Sequence, residues 1–185
     1  IKLVNKFFLF LFIFLSPFAN LLSDEKQSII NLLNQTQNLN FNFVQNINEK
    51  IESGNCILVF DNKLKCSYTD EKEVLINNKT LVVIKKKYKK NYFYPISKSI
   101  FVKILNKESL INLIQNSDLE LNEKINLTYR STDNGKITIF FKRENYELIG
   151  WKIVDGLQNK IFFSLRIQST NNDYDPIIFS VPERN

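Results

Sequence analysis

The sequence contains no histidine and only two cysteines in 185 residues. Without histidine there is no usual general base, no imidazole metal ligand, and no Ser-His or Cys-His nucleophile pair. Two cysteines are also too few for a thiolate zinc site. No internal repeat or low-complexity linker is present. These absences disfavour an enzyme and a zinc protein, and no metal or cofactor is expected.

The N-terminus has the layout of a secretory signal peptide. Two lysines precede an apolar run over residues 7–15, and small and polar residues follow it. The run is too short for a membrane-spanning helix, which needs about 20 apolar residues. We predict a signal peptide over residues 1–23, with cleavage after Ala19 or after Ser23. An uncleaved anchor is the alternative.

Residues 24–185 are enough for one domain but not for two. The formal net charge of the whole chain is +6, and removal of the signal peptide takes away two of its lysines. A mildly basic chain of this kind lacks the strong positive charge that is typical of nucleic-acid-binding proteins. We therefore expect a single secreted domain, a monomer, with no nucleic-acid partner.

Residues 56–68 predict a β-hairpin that turns at Asp61 and Asn62. With the turn centred there, Cys56 falls opposite Cys66, so that a disulfide can join the two strands. One face of the hairpin is apolar, and the other carries lysine and serine, as expected for a half-solvated antiparallel sheet. A disulfide at this position indicates an oxidising compartment.

Hydrophobic spacing divides the remaining chain into strands and short helices. Asp24 and Gln27 resemble a capping box, and apolar residues at helical spacing follow them. Helical spacing occurs again over residues 97–115, where a polar break at 106–107 divides it into two helices. Apolar alternation elsewhere predicts about ten short strands, the last over residues 177–181. The predicted fold is mainly β, with three short helices.

A sheet of that many strands must curl, and its concave face must be covered or filled. Three short helices are too few to fill it completely. The pattern therefore favours a curved sheet or open barrel, with the helices as a lid over a partly hollow apolar interior. An ordinary packed α+β core is the alternative.

The order of these elements resembles the LolA family, periplasmic carriers of outer-membrane lipoproteins. The matching features are a signal peptide, a first helix, the entry strand at residues 41–45, the hairpin opened by Gly54, an Asn-Asn-Lys turn at 77–79, two mid-chain helices and a closing segment at 179–182. The resemblance implies a single unclosed antiparallel β-barrel with a helical lid.

The same resemblance implies a function and its partners. A protein of this family receives acylated lipoproteins from an inner-membrane lipoprotein-releasing transporter and passes them to an outer-membrane acceptor. It acts in the periplasm as a chaperone that binds acyl chains, and it is not an enzyme. A related sensor module, which detects misplaced lipoproteins with the same half-barrel, is the alternative function, and an enzyme is a third.

We expect apolar side chains of two groups to form the binding site. The wall of the concavity is predicted to consist of Phe41, Phe43, Leu58, Phe60, Leu64, Ile139, Phe141, Trp151 and Phe163. The lid is predicted to contribute Ile29, Leu32, Leu33, Phe101, Ile104, Leu105, Leu113 and Ile114. The Cys56 and Cys66 pair is expected to border the cavity.

One departure from the family pattern concerns the hairpin turn. Family members carry an arginine and a proline before the turn asparagine, and the arginine ties the barrel to its lid. This chain has Phe60 and Asp61 there, so the polar latch is missing at that position, and Phe60 is expected to contact lid or ligand instead.

Two charged clusters have simple interpretations. Residues 85–90 carry five lysines and one tyrosine, which predicts a solvated turn between strands, with contact to anionic headgroups or an acidic partner as the alternative. Asp70, Glu71 and Glu73 are interpreted as another polar turn, and an acid-base pair there is disfavoured.

Overall fold

The computed structural model describes residues 18–96, 102–131, 135–155 and 158–184. The apolar run of the predicted signal peptide and the predicted lid residue Phe101 lie outside these residues. Within the described ranges, no helix has both the length and the apolar character needed to cross a membrane.

The described residues form three α-helices and two short 3-10 helices. The α-helices are α1 (Phe18–Gln35), α2 (Val102–Leu105) and α3 (Lys107–Gln115). The 3-10 helices span Lys86–Tyr88 and Pro176–Phe179. The break between α2 and α3 falls at Asn106, whose side chain accepts a hydrogen bond from the Ser109 N–H and so caps α3.

Eleven strands account for most of the described chain. In order they are β1 (Asn38–Ile47), β2 (Lys50–Val59), β3 (Lys63–Tyr68), β4 (Lys72–Asn77), β5 (Thr80–Lys85), β6 (Lys90–Pro95), β7 (Asp118–Leu121), β8 (Ile125–Arg130), β9 (Lys136–Phe141), β10 (Leu148–Val154) and β11 (Lys160–Thr170).

All eleven strands belong to one antiparallel sheet with the order β6-β5-β4-β3-β2-β1-β11-β10-β9-β8-β7. Strands β6 and β7 are its two edges, and in the described residues they do not pair with each other. The sheet is therefore an open half-barrel. The predicted fold class, mainly β with three helices on an unclosed sheet, is confirmed.

Asparagine supplies several of the turns that connect these strands. Asn48, Asn62 and Asn78 adopt positive φ angles of 48°, 58° and 54° at the β1–β2, β2–β3 and β4–β5 turns. Asparagine tolerates this left-handed conformation better than most residues. The turn predicted at Asp61 and Asn62 is confirmed, and it places Cys56 opposite Cys66 and Leu58 opposite Leu64.

The predicted start of the first helix is wrong. Helix α1 begins at Phe18, so Asp24 lies inside the helix and does not cap it. The apolar stripe is narrower than predicted, because Ile29, Ile30 and Leu33 are buried whereas Leu32 is 38% exposed. Four apolar residues within five positions cannot all point in one direction on a helix of 3.6 residues per turn.

The predicted last strand at residues 177–181 is also wrong. Pro176 and the Asp175 carboxylate, which accepts a hydrogen bond from the Ile177 N–H, start a 3-10 helix instead. Phe179 then packs on the convex face of the sheet, in a small cluster with Val59 and Leu75. The outer face of the hairpin is thus partly covered. Strand β7, whose four residues alternate between acidic and leucine side chains, is an addition to the predicted strands.

The concave face carries the main core. Its cluster of buried side chains takes in all three helices and strands from both halves of the sheet. Gly54 lies in the middle of this face, paired with Phe43 on β1 and Tyr68 on β3. A Cβ atom at Gly54 would overlap the carbonyl oxygen of Ser67 and press on the Phe43 ring at 3.0 Å.

We predict that Gly54→Ala destabilises the protein by about 2 kcal/mol, because the added methyl group must displace backbone that is fixed by the sheet. Gly135→Ala is the matched control, since the nearest atom to its Cβ would be 3.6 Å away. The measurement is urea unfolding with the disulfide intact. Equal midpoints for the two variants would contradict the close approach at Gly54.

Candidate functional site

The predicted wall residues all lie in one buried cluster on the concave side. They come from β1, β2, β3, β9, β10 and β11, and from the turn that follows β2. All have at most 7% of their surface exposed: Phe41, Phe43, Leu58, Phe60, Leu64, Ile139, Phe141, Trp151 and Phe163. The structure brings together residues that are up to 122 positions apart in the sequence.

Most predicted lid residues face this wall. They belong to the same cluster and are buried: Ile29, Leu33, Ile104, Leu105, Leu113 and Ile114. Leu32 does not join them and lies at the margin. The helices α1, α2 and α3, which we call the lid, therefore cover the concave face with their apolar sides in the closed arrangement seen here.

Four aromatic rings form a ladder across the concave face. Trp151 stacks on Phe163 with ring centroids 4.3 Å apart, and Phe163 stacks on Phe43 at 4.9 Å. The Tyr68 ring meets Phe43 edge-on, also at 4.9 Å. The Phe43–Tyr68 contact spans β2 at Gly54, where no side chain intervenes. Sequence alternation placed these rings on one face but did not reveal their stacking.

The disulfide lies in the same cluster. Cys56 and Cys66 are directly opposite each other on β2 and β3 and are both nearly fully buried. Their bond closes a short loop, which stabilises a fold by about 2 to 3 kcal/mol in the chain-entropy account. The disulfide therefore strengthens the hairpin from its concave side, next to Leu58 and Leu64.

Backbone groups fasten the lid at the β2–β3 hairpin turn. The Asn62 N–H donates a hydrogen bond to the Leu105 carbonyl at 3.2 Å, and Asp61 pairs with Asn106 in a single β-bridge. The hairpin turn is thus joined directly to the link between α2 and α3. Phe60, just before the turn, is buried among the lid and wall residues.

Two lysines supply further polar ties. Lys26 on α1 donates hydrogen bonds from Nζ to the carbonyls of Gln115 and Ser117, at 3.0 and 2.6 Å, at the C-terminal end of α3. A cation at this end of a helix is stabilised by the helix dipole and satisfies its last carbonyls. Lys103 on α2 lies 4.6 Å above the Tyr129 ring on β8.

A groove of about 400 Å³ opens at the margin of the lid. It lies between the last turns of α1, the β9–β10 turn and the end of β11. Its lining contains both apolar and polar side chains: Leu32, Leu33, Gln35, Thr36, Leu39, Phe141, Asn145, Tyr146, Glu147, Leu148, Ile167, Thr170 and Asn171. Its size is in the range of small-molecule sites.

The groove explains the exposure of Leu32 and contains residues that the sequence did not indicate. Tyr146 belongs to the β9–β10 turn, where it adopts a φ of 59°. Such a turn residue has no period that could mark it as part of a wall. Leu33 and Phe141 are shared between the groove and the main cluster, so the groove leads directly to the concave wall.

At the other end of the concave face, away from the lid, the ladder meets a polar cluster. Glu52 accepts hydrogen bonds from Gln45 at 2.6 Å and from Lys50 at 2.6 Å, and its carboxylate lies 2.7 Å from the Lys72 ammonium. The Tyr68 hydroxyl donates to Gln45 at 3.3 Å, and Lys72 lies 3.9 Å above the Tyr68 ring.

This cluster shifts two pKa values. Burial acts to raise the pKa of Glu52, but hydrogen bonds from Lys50, Lys72 and Gln45 outweigh it and lower the pKa to about 2. Burial, together with the nearby Glu52 charge, raises the pKa of Tyr68 to about 12. At neutral pH the cluster therefore holds a charged Glu52 and a neutral Tyr68.

Of the three acidic residues predicted to form a polar turn, two lie in the β3–β4 turn, whereas Glu73 lies on β4. Asp70 and Glu71 are exposed between β3 and β4, and Glu73 forms an ion pair with Lys86 at 2.7 Å. The described residues contain no group of three or more acidic or cysteine side chains that could hold a metal ion.

No protein-family model and no curated protein matches the sequence. Among solved structures, the fold is shared by an uncharacterized conserved protein from Thermus thermophilus, with a TM-score of 0.50, 8% identity, and coverage of 87% of this chain and 94% of that one. The likeness shows an open half-barrel fold and no more.

Two further similar structures have TM-scores below 0.5 and add nothing about the site. One is a LolA superfamily protein from Nitrosomonas europaea, with a TM-score of 0.41, 10% identity, and coverage of 84% of this chain and 97% of that one. The other is the Pseudomonas aeruginosa MucA/MucB complex. It has a TM-score of 0.47 and 11% identity, with coverage of 86% of this chain and 61% of that one.

We predict that Glu52 contributes stability that depends on pH. Because its folded pKa is lowered, the contribution is fully present above the ordinary value near 4.5 and is lost as pH falls towards 2. The unfolding free energy of wild type should therefore exceed that of Glu52→Gln at pH 7, and the gap should narrow between pH 5 and pH 2.

The measurement is urea unfolding at a series of pH values. Glu144→Gln, which changes an exposed carboxylate in the β9–β10 turn, is the control. The quantity compared is the loss of unfolding free energy relative to wild type. If this loss is no larger and no more dependent on pH for Glu52→Gln than for the control, Glu52 does not stabilise the fold in this way.

Proposed function

We propose that the protein is a periplasmic carrier that binds the acyl chains of lipoproteins and ferries them from the inner to the outer membrane. One observation supports this most strongly. The lid helices lie with their apolar sides on a concave apolar wall, while a groove at the lid margin, lined by Leu32, leads to the same wall.

The energetics of acyl binding favour a movable lid. Transfer of a methylene group from water to an apolar site is worth about 0.8 kcal/mol, so one sixteen-carbon chain is worth on the order of 12 kcal/mol. A rigid empty pocket would hold such a chain too tightly to release it. If the chain displaces the lid from the wall, the loss of lid packing offsets part of this gain.

The ties that hold the lid suit such an exchange. Apart from packing, the ties between the lid and the sheet with its turns include the Asn62–Leu105 backbone bond, the bond from the Asn171 side chain to the Gln35 carbonyl, and the Lys103–Tyr129 contact. Each is a single hydrogen bond or a cation–π contact, worth about 1 kcal/mol. The lid can therefore separate from the wall without disruption of the sheet.

In this account the cargo is handed over twice. An inner-membrane lipoprotein-releasing transporter loads the carrier, and an outer-membrane acceptor receives the lipoprotein. The disulfide in the wall fits an oxidising compartment such as the periplasm.

We predict that protein isolated from its native envelope carries an acylated lipoprotein, and that the purified protein binds a fluorescent palmitoylated lipopeptide. Leu32→Glu places a charge in the groove and should weaken binding at least tenfold, because an unpaired carboxylate disfavours burial of an acyl chain there. Its unfolding midpoint should change little, since Leu32 is partly exposed.

Ile51→Glu is the matched control, as Ile51 is exposed on the convex face of β2. Its affinity should equal that of wild type. Absence of acyl binding by the wild-type protein would sink the proposal. A protein that binds the lipopeptide but never transfers it to acceptor membranes would instead be a sensor of lipoproteins.

A further inference from the structure

Three lysines form a row across one wing of the concave face. Lys72 on β4 is the register partner of Lys85 on β5, and Lys85 is the partner of Lys90 on β6. Lys72 lies on the same side of β4 as Ile76, which belongs to the concave cluster. We call these three residues the lysine row, and it lies at the end of the sheet opposite to the lid.

The row has an excess of positive charge. Like charges directly opposite each other in a sheet are destabilising. Glu52 compensates Lys72 but is shared with Lys50. Lys85 and Lys90 are exposed, and no described carboxylate lies within 4.0 Å of either ammonium group. Asp70 and Glu71 are exposed in the neighbouring turn, but the row lysines together with Lys50 number four against these two carboxylates and Glu52.

The next two rows along the same strands are apolar and aromatic. One consists of Val74, Val83 and Tyr92, and the other of Ile76, Leu81 and Tyr94. Tyr92 is 38% exposed and Tyr94 50% exposed. Residues on one side of a strand repeat about every 6.8 Å. A cationic row thus lies beside two apolar rows whose tyrosines are exposed, and the last of these rows leads to the wall under the lid.

We propose that this wing binds a single anionic phospholipid, with its phosphate on the lysine row and an acyl chain along the tyrosine rows towards the lid. The charge of the row is complementary to a phosphate headgroup. Its position on the concave side favours one enclosed lipid molecule over a flat membrane surface. The inference rests on the proposed function, because the acyl chain shares the proposed cargo site.

The test compares two soluble lipids with identical chains, dioctanoyl phosphatidylglycerol, which is anionic, and dioctanoyl phosphatidylcholine, which has no net charge. Binding is measured by titration calorimetry at low and at moderate salt concentration. The wild-type protein should prefer the anionic lipid. Lys85→Glu/Lys90→Glu should weaken binding of this lipid by at least on the order of tenfold and abolish the preference.

Lys87→Glu/Lys89→Glu is the matched control. It makes the same change in net charge within the same β5–β6 hairpin, but neither residue belongs to the lysine row. Its affinity for both lipids should stay within about threefold of wild type, since screening weakens exposed charges that do not touch the ligand. Both double variants change exposed side chains, so both should fold.

Three results would overturn the inference. The first is equal binding of the two soluble lipids by wild type, and the second is an equal loss of affinity in both double variants. The third comes from phosphatidylglycerol vesicles: Lys85→Glu/Lys90→Glu loses binding to these vesicles but binds the soluble lipid as wild type does. Equal binding of both lipids would leave the acyl-carrier proposal intact. Failure to bind either lipid or the palmitoylated lipopeptide would overturn the carrier proposal itself.

Discussion

In the part of the chain that the structure describes, the antiparallel sheet of eleven strands does not close on itself, and its large apolar concave face cannot remain in water. The rest of this structure is arranged to cover that face. Three short helices lie over it, and the buried side chains of helices and strands form one continuous cluster. Apolar burial is worth roughly 25 cal/mol per Å², far more in total than the few polar ties that hold the lid. Packing therefore holds the lid down, and another apolar group can compete for the same surface.

The polar contacts have a different role, which is to fix where the lid lies. The Asn62–Leu105 hydrogen bond and the Asp61–Asn106 bridge join the lid to the hairpin that also carries the disulfide. Lys26 aligns α1 with α3. At the opposite end the apolar face stops at the cluster around Glu52, which gives the concave surface an apolar lid end and a charged open end.

The sequence predicted those parts of the fold that depend on local pattern. Alternation placed Phe41 and Phe43 on one face, and the Asp61-Asn62 turn determined the register that pairs the two cysteines. Where local signals compete, prediction failed. Residues 177–181 have the composition of a strand, but Pro176 and Asp175 start a 3-10 helix. Asp24 resembled a cap because the part of α1 before it, residues 18–23, continues the apolar N-terminal segment and carries no helix signal of its own.

The site was predicted less completely than the fold, for a physical reason. Wall residues follow from strand alternation, so all nine were found buried together. The ties of the lid could not be found in this way, because a bond between the Asn62 N–H and the Leu105 carbonyl involves backbone groups that every such residue has. The groove at Leu32 likewise depends on how α1 meets the β9–β10 turn, a contact between segments more than 100 positions apart.

The central claim is that an acyl chain displaces the lid from the concave wall. Amide hydrogen exchange of the intact protein with and without a palmitoylated lipopeptide tests it directly. We predict faster exchange in α3, residues 107–115, when the lipopeptide is bound, with unchanged exchange in β1, β2 and β11. Tight binding of the lipopeptide with unchanged or slower exchange throughout α3 would contradict the claim.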